Sequence, residues 1–334
     1  AMRDTWMPAR LVGVRRTINP RDLSGLLSEF CIVAEARVSL REPCLPMRLN
    51  GRLIFPIGDF TGTWTGPELE LALSHGAIHS LGRVAVYERA QLFSSFVCDI
   101  WRRRQDAVRA GDIVRAHQYK ILGNSLYGKF GQRGRRWVDT HAADDLSVRV
   151  WEEFSLDTRS TVRYRQIAGV VQVEETEGES RDSHPAIAAH ITAEARVRLW
   201  QLIIRAGREH VQYCDTDCVW VDRAGYRRLR DLVDPTALGR LKLEYKAANA
   251  VLHGPKDYTL DRDAKTKGIR RAAVQIAPGQ YEQDAWRGLR GAMRAGDVSA
   301  PRTTRIIKHL RREYLKGTVL ASGAVEPYRL SIDE

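Results

Sequence analysis

With 334 residues, 43% of them hydrophobic and 28% charged, the chain has the make-up of a globular protein large enough for two or three subdomains. Its 53 lysines and arginines outnumber 41 aspartates and glutamates, and the formal charge of +12 favours a polyanionic partner, nucleic acid ahead of a membrane surface. No apolar run reaches membrane-span length, no charged-then-apolar leader opens the chain, and the five scattered cysteines (Cys31, Cys44, Cys98, Cys214, Cys218) contain no CxxC pair, which argues against a disulfide framework or a zinc site and for a reducing compartment.

Up to about Ser28 the mixture of Pro8, Pro20, arginines and short apolar runs assigns no element. Residues 31–38 alternate as a strand. Residues 53–56 with Gly58, Gly62 and Gly66 read as short strands and tight turns, and Pro67 opens a helix that Gly76 closes. Over residues 88–104, Leu92, Phe93, Phe96, Val97, Ile100 and Trp101 recur at helical spacing. After the break at Gly111 a second helix covers about 112–130, so the two form a helical hairpin. Residues 131–136 are a basic exit, 137–173 are strand-rich, 178–184 form a polar loop, and 185–207 read as a third strong helix.

Residues 211–221 read as strand, turn, strand around Asp215-Thr216-Asp217, and another strand pair is expected to span 238–260. The tail over 286–315 reads as helix. Its apolar stripe of Ile306, Ile307, Leu310, Tyr314 and Leu315 is flanked by Arg302, Arg305, Lys308, Arg311 and Arg312. Such a basic face is ordinarily solvated, and beside a nucleic-acid site it tracks the backbone.

Two segments carry chemistry. In Tyr213-Cys214-Asp215-Thr216-Asp217, two carboxylates two residues apart in a tight turn can converge on one pocket, where their repulsion favours a bound divalent cation. A bare DxD is more often a pair of solvated loop acids; here apolar strands flank it. In the second segment, residues 120–128, Lys120, Asn124 and Tyr127 fall at i, i+4 and i+7 of one helix and share a narrow face. Ammonium, amide and phenol on one face suit a nucleoside triphosphate, although a plain polar face with a buried tyrosine reads equally well.

Taken together, KxxxNSxYG followed by YxDTD after a long mixed insertion resembles motifs B and C of the family-B DNA polymerases. The resemblance implies an α+β fold of right-hand polymerase architecture, with an antiparallel palm sheet and helices, two-helix fingers and a small thumb. It implies that Lys120 binds the incoming nucleotide's phosphates and protonates the leaving pyrophosphate, and that Asn124 and Tyr127 line the nucleotide pocket. Asp215 and Asp217 would hold catalytic magnesium ions, with Asp217 the direct ligand, and Thr216 would sit near the primer end.

Four further stretches are similar to the protein-primed subgroup of phages, linear plasmids, adenovirus-like viruses and mitochondrial elements. Residues 51–56 through 65–71 resemble its segment between motif A and the fingers, and Arg104 is placed like a basic triphosphate-binding residue there. Ile191-Thr192-Ala193 with Arg196 resembles the helix before motif C. Lys256-Asp257-Tyr258, followed by Lys267-Gly268, resembles the KxY element, which implies that Lys256 contacts phosphate and Tyr258 packs at the primer end.

The sequence also departs from the family. Cys218 stands where serine is usual, which removes no metal ligand. No DxxSLYP motif, source of a metal-binding aspartate and of the ribonucleotide-excluding tyrosine, is found; Ala1-Met2-Arg3 resembles the residues that follow it, and the upstream exonuclease is likewise missing. The expectation is a truncated or split polymerase whose two-metal site is incomplete without the motif A aspartate.

The expected organisation is a palm segment with a subgroup-specific insertion over 1–83, fingers over 84–130, a second insertion and palm over 131–185, palm with the YxDTD hairpin over 186–262, and thumb over 263–334. Partners would be DNA template-primer, deoxynucleoside triphosphates and a terminal priming protein, at a cytoplasmic, nucleoid or viral replication site. Two alternatives are a non-catalytic DNA-binding remnant or split subunit, and an RNA-templated polymerase, whose turn normally carries two adjacent aspartates.

Overall fold

The computed structural model describes residues 2–16, 18–156, 159–180, 182–286, 288, 291 and 303–331. The chain makes two compact units, one of Ala1–Gly131, His184–Lys246 and Tyr314–Glu334, the other of Gln132–Ser183 and Ala247–Glu313. Helices and mostly antiparallel sheets occupy separate stretches, an α+β fold.

The first unit is built on a five-stranded sheet in the order β1 (Met7–Arg15), β6 (Ile78–Ala90), β2 (Cys31–Leu40), β5 (Ile57–Thr65) and β21 (Arg329–Leu330). The first four strands pair antiparallel, and β21 joins β5 in parallel. β2 is central because its apolar residues recur with period two: Ile32, Ala34, Ala36, Val38 and Leu40 share one face and are buried. With Phe60, Trp64, Val84 and Val86 they meet Leu23 and Leu27 of α1 (Leu23–Glu29) and Leu69 and Ala72 of α2 (Gly66–Ser74). Each large side chain buried there contributes about 1.5–3 kcal/mol. The Trp64 indole N–H donates to the Pro46 carbonyl at 2.9 Å, so its burial strands no donor. Three short hairpins lie outside the sheet among the described residues, β3 (Met47–Leu49) with β4 (Arg52–Ile54), β11 (Val211–Asp215) with β12 (Cys218–Val221), and β19 (Thr318–Val319) with β20 (Val325–Glu326).

Pro67 near the first turn of α2 and the Glu68 carboxylate reaching back to the Thr65 N–H start that helix where the sequence marks it. Helices α3 (Ser94–Arg109) and α4 (Ile113–Phe130) form the expected hairpin, and α5 (Pro185–Ala206) packs against α2 and β5. The Arg196 guanidinium of α5 holds Glu68 at 2.8–2.9 Å. Burial pushes the Glu68 carboxyl above its ordinary range even with Arg196 beside it.

The second unit is all strand among its described elements. Its four-stranded sheet runs β7 (Arg133–Ala142), β10 (Val170–Glu179), β9 (Ser160–Ile167), β8 (Arg149–Ser155). Two three-stranded sheets follow, β13 (Ala250–Gly254), β14 (Asp257–Leu260), β15 (Asp263–Lys265) and β16 (Val274–Ala277), β17 (Gln280–Trp286), β18 (Thr303–His309).

Three expectations are corrected. The tail is not helical across its described part: residues 303–309 are strand β18, paired antiparallel with β17 from Gln280↔His309 to Trp286↔Thr303, and Leu310, Arg311, Arg312, Tyr314 and Leu315 follow as irregular chain. The run Thr303, Thr304, Ile306, Ile307 is β-branched, and a neighbouring strand overrides the helical spacing; Arg302 lies outside the described residues. The strand pair within 238–260 covers only β13 and β14. The first helix of the hairpin, expected from 88, begins at Ser94, because β6 continues to Ala90 and ties Glu88 to Arg10 of β1. The unassigned start resolves into β1, a single 3-10 turn and α1. No helix among the described residues is long and apolar enough to cross a membrane.

Candidate functional site

In the first unit, β11 (Val211–Asp215) and β12 (Cys218–Val221) form a two-stranded hairpin in which Asp215 pairs with Cys218. Thr216 and Asp217 therefore make the whole turn. Thr216 has φ 58°, and the Asp217 N–H donates to the Asp215 carbonyl at 2.7 Å, a three-residue closure of the γ-turn kind that is uncommon and strained. The turn leaves Asp215 half-buried and both Thr216 and Asp217 exposed. The Thr216 hydroxyl donates to Asp215 Oδ1 at 3.0 Å and orients that carboxylate.

The hairpin is held from its base. Asp222 N–H donates to the His210 carbonyl at 3.0 Å, and His210 Nδ1 lies 2.9 Å from Asp222 Oδ2. The other Asp222 oxygen accepts from the Ala224 and Gly225 amides, capping α6 (Arg223–Leu229). Those amides, with His210, draw the Asp222 carboxyl below its usual range. A side chain at Gly225 would meet Val221 Cβ at 2.9 Å and His210 Cβ at 3.1 Å, so glycine lets α6 close on the hairpin. Along the strands, Tyr213 and Trp220 pack ring against ring at 4.9 Å. Burial raises the thiol of the half-buried Cys218, which flanks the aspartates.

Helix α4 separates two kinds of side chain. Ala116, Tyr119, Gly123, Leu126 and Phe130 recur at helical spacing on its covered side. A Cβ at Gly123 would touch Ile100 of α3 at 3.5 Å, so the helices approach closely there. Lys120, Asn124 and Tyr127 line the exposed side. Arg104 of α3 lies with its guanidinium 5.7 Å from the Trp101 ring, and its Nε is buried with no hydrogen-bond partner among the described residues.

In the second unit, hairpin β13–β14 pairs Gly254 with Asp257 and turns through Pro255 and Lys256, the latter at φ 62°. Lys256 is exposed. Tyr258 is half-buried between its strand partners Leu252 and Lys265, and the Lys265 ammonium lies 5.7 Å from its ring.

The expected residues thus fall into three groups: Asp215, Thr216 and Asp217 on one turn; Lys120, Asn124 and Tyr127 on one helix face with Arg104 on the antiparallel helix; Lys256 and Tyr258 on one hairpin. Asp215 and Asp217 are hard oxygen donors suited to magnesium. Among the described residues no cluster of three or more His, Cys, Asp or Glu side chains could hold a metal, so the pair fits the ion only as part of a larger ligand set. Sequence reasoning missed the residues that fix these groups. Asp222 carries a readable signal, an aspartate directly before a short helix; its pairing with His210, and that of Glu68 with Arg196, carry none.

A family described as DNA polymerase type B, organellar and viral, matches residues 7–162. A probable DNA polymerase of Neurospora intermedia is 26% identical over 235 residues, covering 69% of this chain and 23% of that protein. A DNA-directed DNA polymerase of enterobacteria phage PRD1 is 24% identical over 208 residues, covering 59% and 34%. Among solved structures, Phi29 DNA polymerase complexed with primer-template DNA and incoming nucleotide substrates superposes with a TM-score of 0.56 at 13% identity, over 93% of this chain and 55% of that one. The chain spans a quarter to a third of the length of these curated relatives, and the structural likeness bears on the fold.

Proposed function

We propose that this chain, which belongs to the family-B DNA polymerases of the organellar and viral type, performs template-directed DNA synthesis of the protein-primed kind, adding deoxynucleotides to a primer 3′-hydroxyl or, at initiation, to a protein hydroxyl. The observation that carries the reading is the pairing, within one unit, of an exposed Asp215–Asp217 turn with a helix face presenting Lys120, Asn124 and Tyr127.

In this reading α3 and α4 are the fingers. Lys120 and the guanidinium of Arg104 take the triphosphate, while Asn124 and Tyr127 bound the sugar and base. Asp215 and Asp217 would hold magnesium, which supplies charge neutralisation for the attacking oxygen and the leaving pyrophosphate. Two carboxylates do not complete a two-ion site, so a DxxSLYP-type segment donates a further aspartate, and synthesis depends on it. Thr216 sets the Asp215 carboxylate beside the primer end, and Lys256 and Tyr258 hold the primer strand. DNA template-primer, deoxynucleoside triphosphates and a terminal priming protein are the partners, met at a replication site.

The test is magnesium-dependent primer extension by the chain with and without a DxxSLYP-bearing segment. Incorporation that falls at least roughly a hundredfold in Asp217→Ala, with melting unchanged, supports the reading. Lys120→Ala is expected to raise the KM for nucleotide about tenfold. DNA binding with no incorporation under either condition, or an Asp217→Ala variant as fast as the wild type, overturns it.

A further inference from the structure

Asp257 is the one buried acid of the second unit among the described residues, with 5% of its surface exposed. It stands between Lys256 and Tyr258. A carboxylate held out of water needs a fixed cationic partner, because removing the partner leaves the full cost of its desolvation. That partner is Arg312, whose Nε donates to Asp257 Oδ2 at 2.9 Å from 55 residues away. Arg312 lies on the irregular segment that leaves β18, just beyond the Leu310 N–H that donates to the Gly279 carbonyl at 2.8 Å. The ion pair therefore ties the β13–β15 sheet to the β16–β18 sheet.

The place of the tie matters for its neighbours. Successive side chains of a strand point to opposite faces, so an inward Asp257 turns Tyr258 to the other face. Asp257 also closes the two-residue turn in which Lys256 adopts φ 62°, a conformation that a lysine leaves readily when nothing holds it. The open end of the hairpin has its own fastening: Asp261 Oδ1 accepts from the Ala248 and Asn249 amides at 3.0 and 2.9 Å. At the turn end, Arg312 supplies the corresponding hold.

We infer that Arg312 is a positioning residue for the primer strand, acting through Asp257 to hold Lys256 and Tyr258 in the geometry in which they meet DNA. The inference rests on the polymerase reading, which makes Lys256 and Tyr258 primer contacts. It assigns Arg312 a role distinct from the phosphate-tracking face that a helical tail would have given it.

The experiment measures, on the full chain, binding of a primer-template duplex by anisotropy and melting by calorimetry. The variants are Arg312→Ala, Arg312→Lys, Asp257→Asn and Asp257→Asn with Arg312→Gln. Arg312→Ala is expected to bind primer-template about tenfold more weakly, and Arg312→Lys to recover part of that loss. The double variant removes the uncompensated charge, so its melting returns towards wild type while primer binding stays weak and no worse than in the single variants. A double variant that binds like the wild type reduces the pair to a staple and overturns the inference. A double variant that binds more weakly than either single variant, by about the sum of their losses, would mean that Arg312 touches DNA directly, and also overturn it. A wild-type chain that does not bind primer-template at all refutes the polymerase reading itself, a result separable from both.

Discussion

Hairpin β11–β12 turns through Thr216 at φ 58° and hairpin β13–β14 through Lys256 at φ 62°, so both place a residue with a Cβ where glycine is favoured. Their supports differ. The first is backed by α5 and α6, and α5 is anchored by Ile187, Ile191 and Val197, all buried. The second lies among largely exposed strands and is fastened by Asp257–Arg312 at one end and Asp261 at the other. Apolar burial is non-directional and tolerates the exposed, charged tip that a cation site needs. Ion pairs and hydrogen bonds fix direction over a few ångströms, which suits the primer contacts proposed for Lys256 and Tyr258.

The comparison can be broken most forcefully through α5. Ile191→Ala leaves a cavity beside Met7 and Ile187 and is expected to cost about 2–5 kcal/mol, lowering the melting of the first unit and loosening hairpin β11–β12 in hydrogen exchange while β13–β14 keeps its protection. Equal loosening of both hairpins would end the distinction.

Acid probes the same helix. His190, 1% exposed, donates its Nδ1–H to the Ala186 carbonyl at 2.9 Å, and burial lowers its pKa from 6.5 to about 4. A depressed folded pKa means that its contribution is intact above pH 6.5 and is lost as pH falls towards 4, in total about 3 kcal/mol. Denaturation at a series of pH values should show a flatter profile for His190→Gln than for the wild type over that window; parallel profiles would assign the acid sensitivity elsewhere.

Asp261→Ala removes two hydrogen bonds to the base of β13–β14 and should cost about 1 kcal/mol, seen as faster amide exchange in that hairpin alone. The smallest effect is at Thr216. Thr216→Gly relieves a left-handed threonine but loosens the unfolded chain, so the melting temperature should stay level or rise by the equivalent of at most about 1 kcal/mol. On the proposed reading nucleotide incorporation should fall nonetheless, because the Asp215 carboxylate loses the hydroxyl that orients it; unchanged incorporation would show that the strain and the hydroxyl serve only the fold.

What could be read without coordinates was what depends on near neighbours in the chain. The break at Gly111 and the Pro185 start placed α4 and α5 close to their ends, the helical spacing of Leu92 to Trp101 announced α3 but set its start at 88 instead of Ser94, and apolar runs on either side of Asp215–Asp217 placed a hairpin. Local pattern failed where a remote strand decided: the stripe of Ile306, Ile307, Leu310 and Tyr314 fits a helix as well as a strand until β17 supplies a partner. The basic segment once expected to be a solvated or DNA-tracking helical face instead delivers Arg312 to a buried carboxylate.

The sequence by itself determined the order and type of the chemistry-bearing groups, since an ammonium, amide and phenol on one helix face and two carboxylates in one turn follow from spacings of two to seven residues. Tertiary structure decided what holds them. Glu68 meets Arg196 across 128 residues and Asp257 meets Arg312 across 55, and no periodicity spans such distances. Those pairings come from the packing of whole elements, which commits each buried charge to whichever opposite charge the fold brings within hydrogen-bond reach.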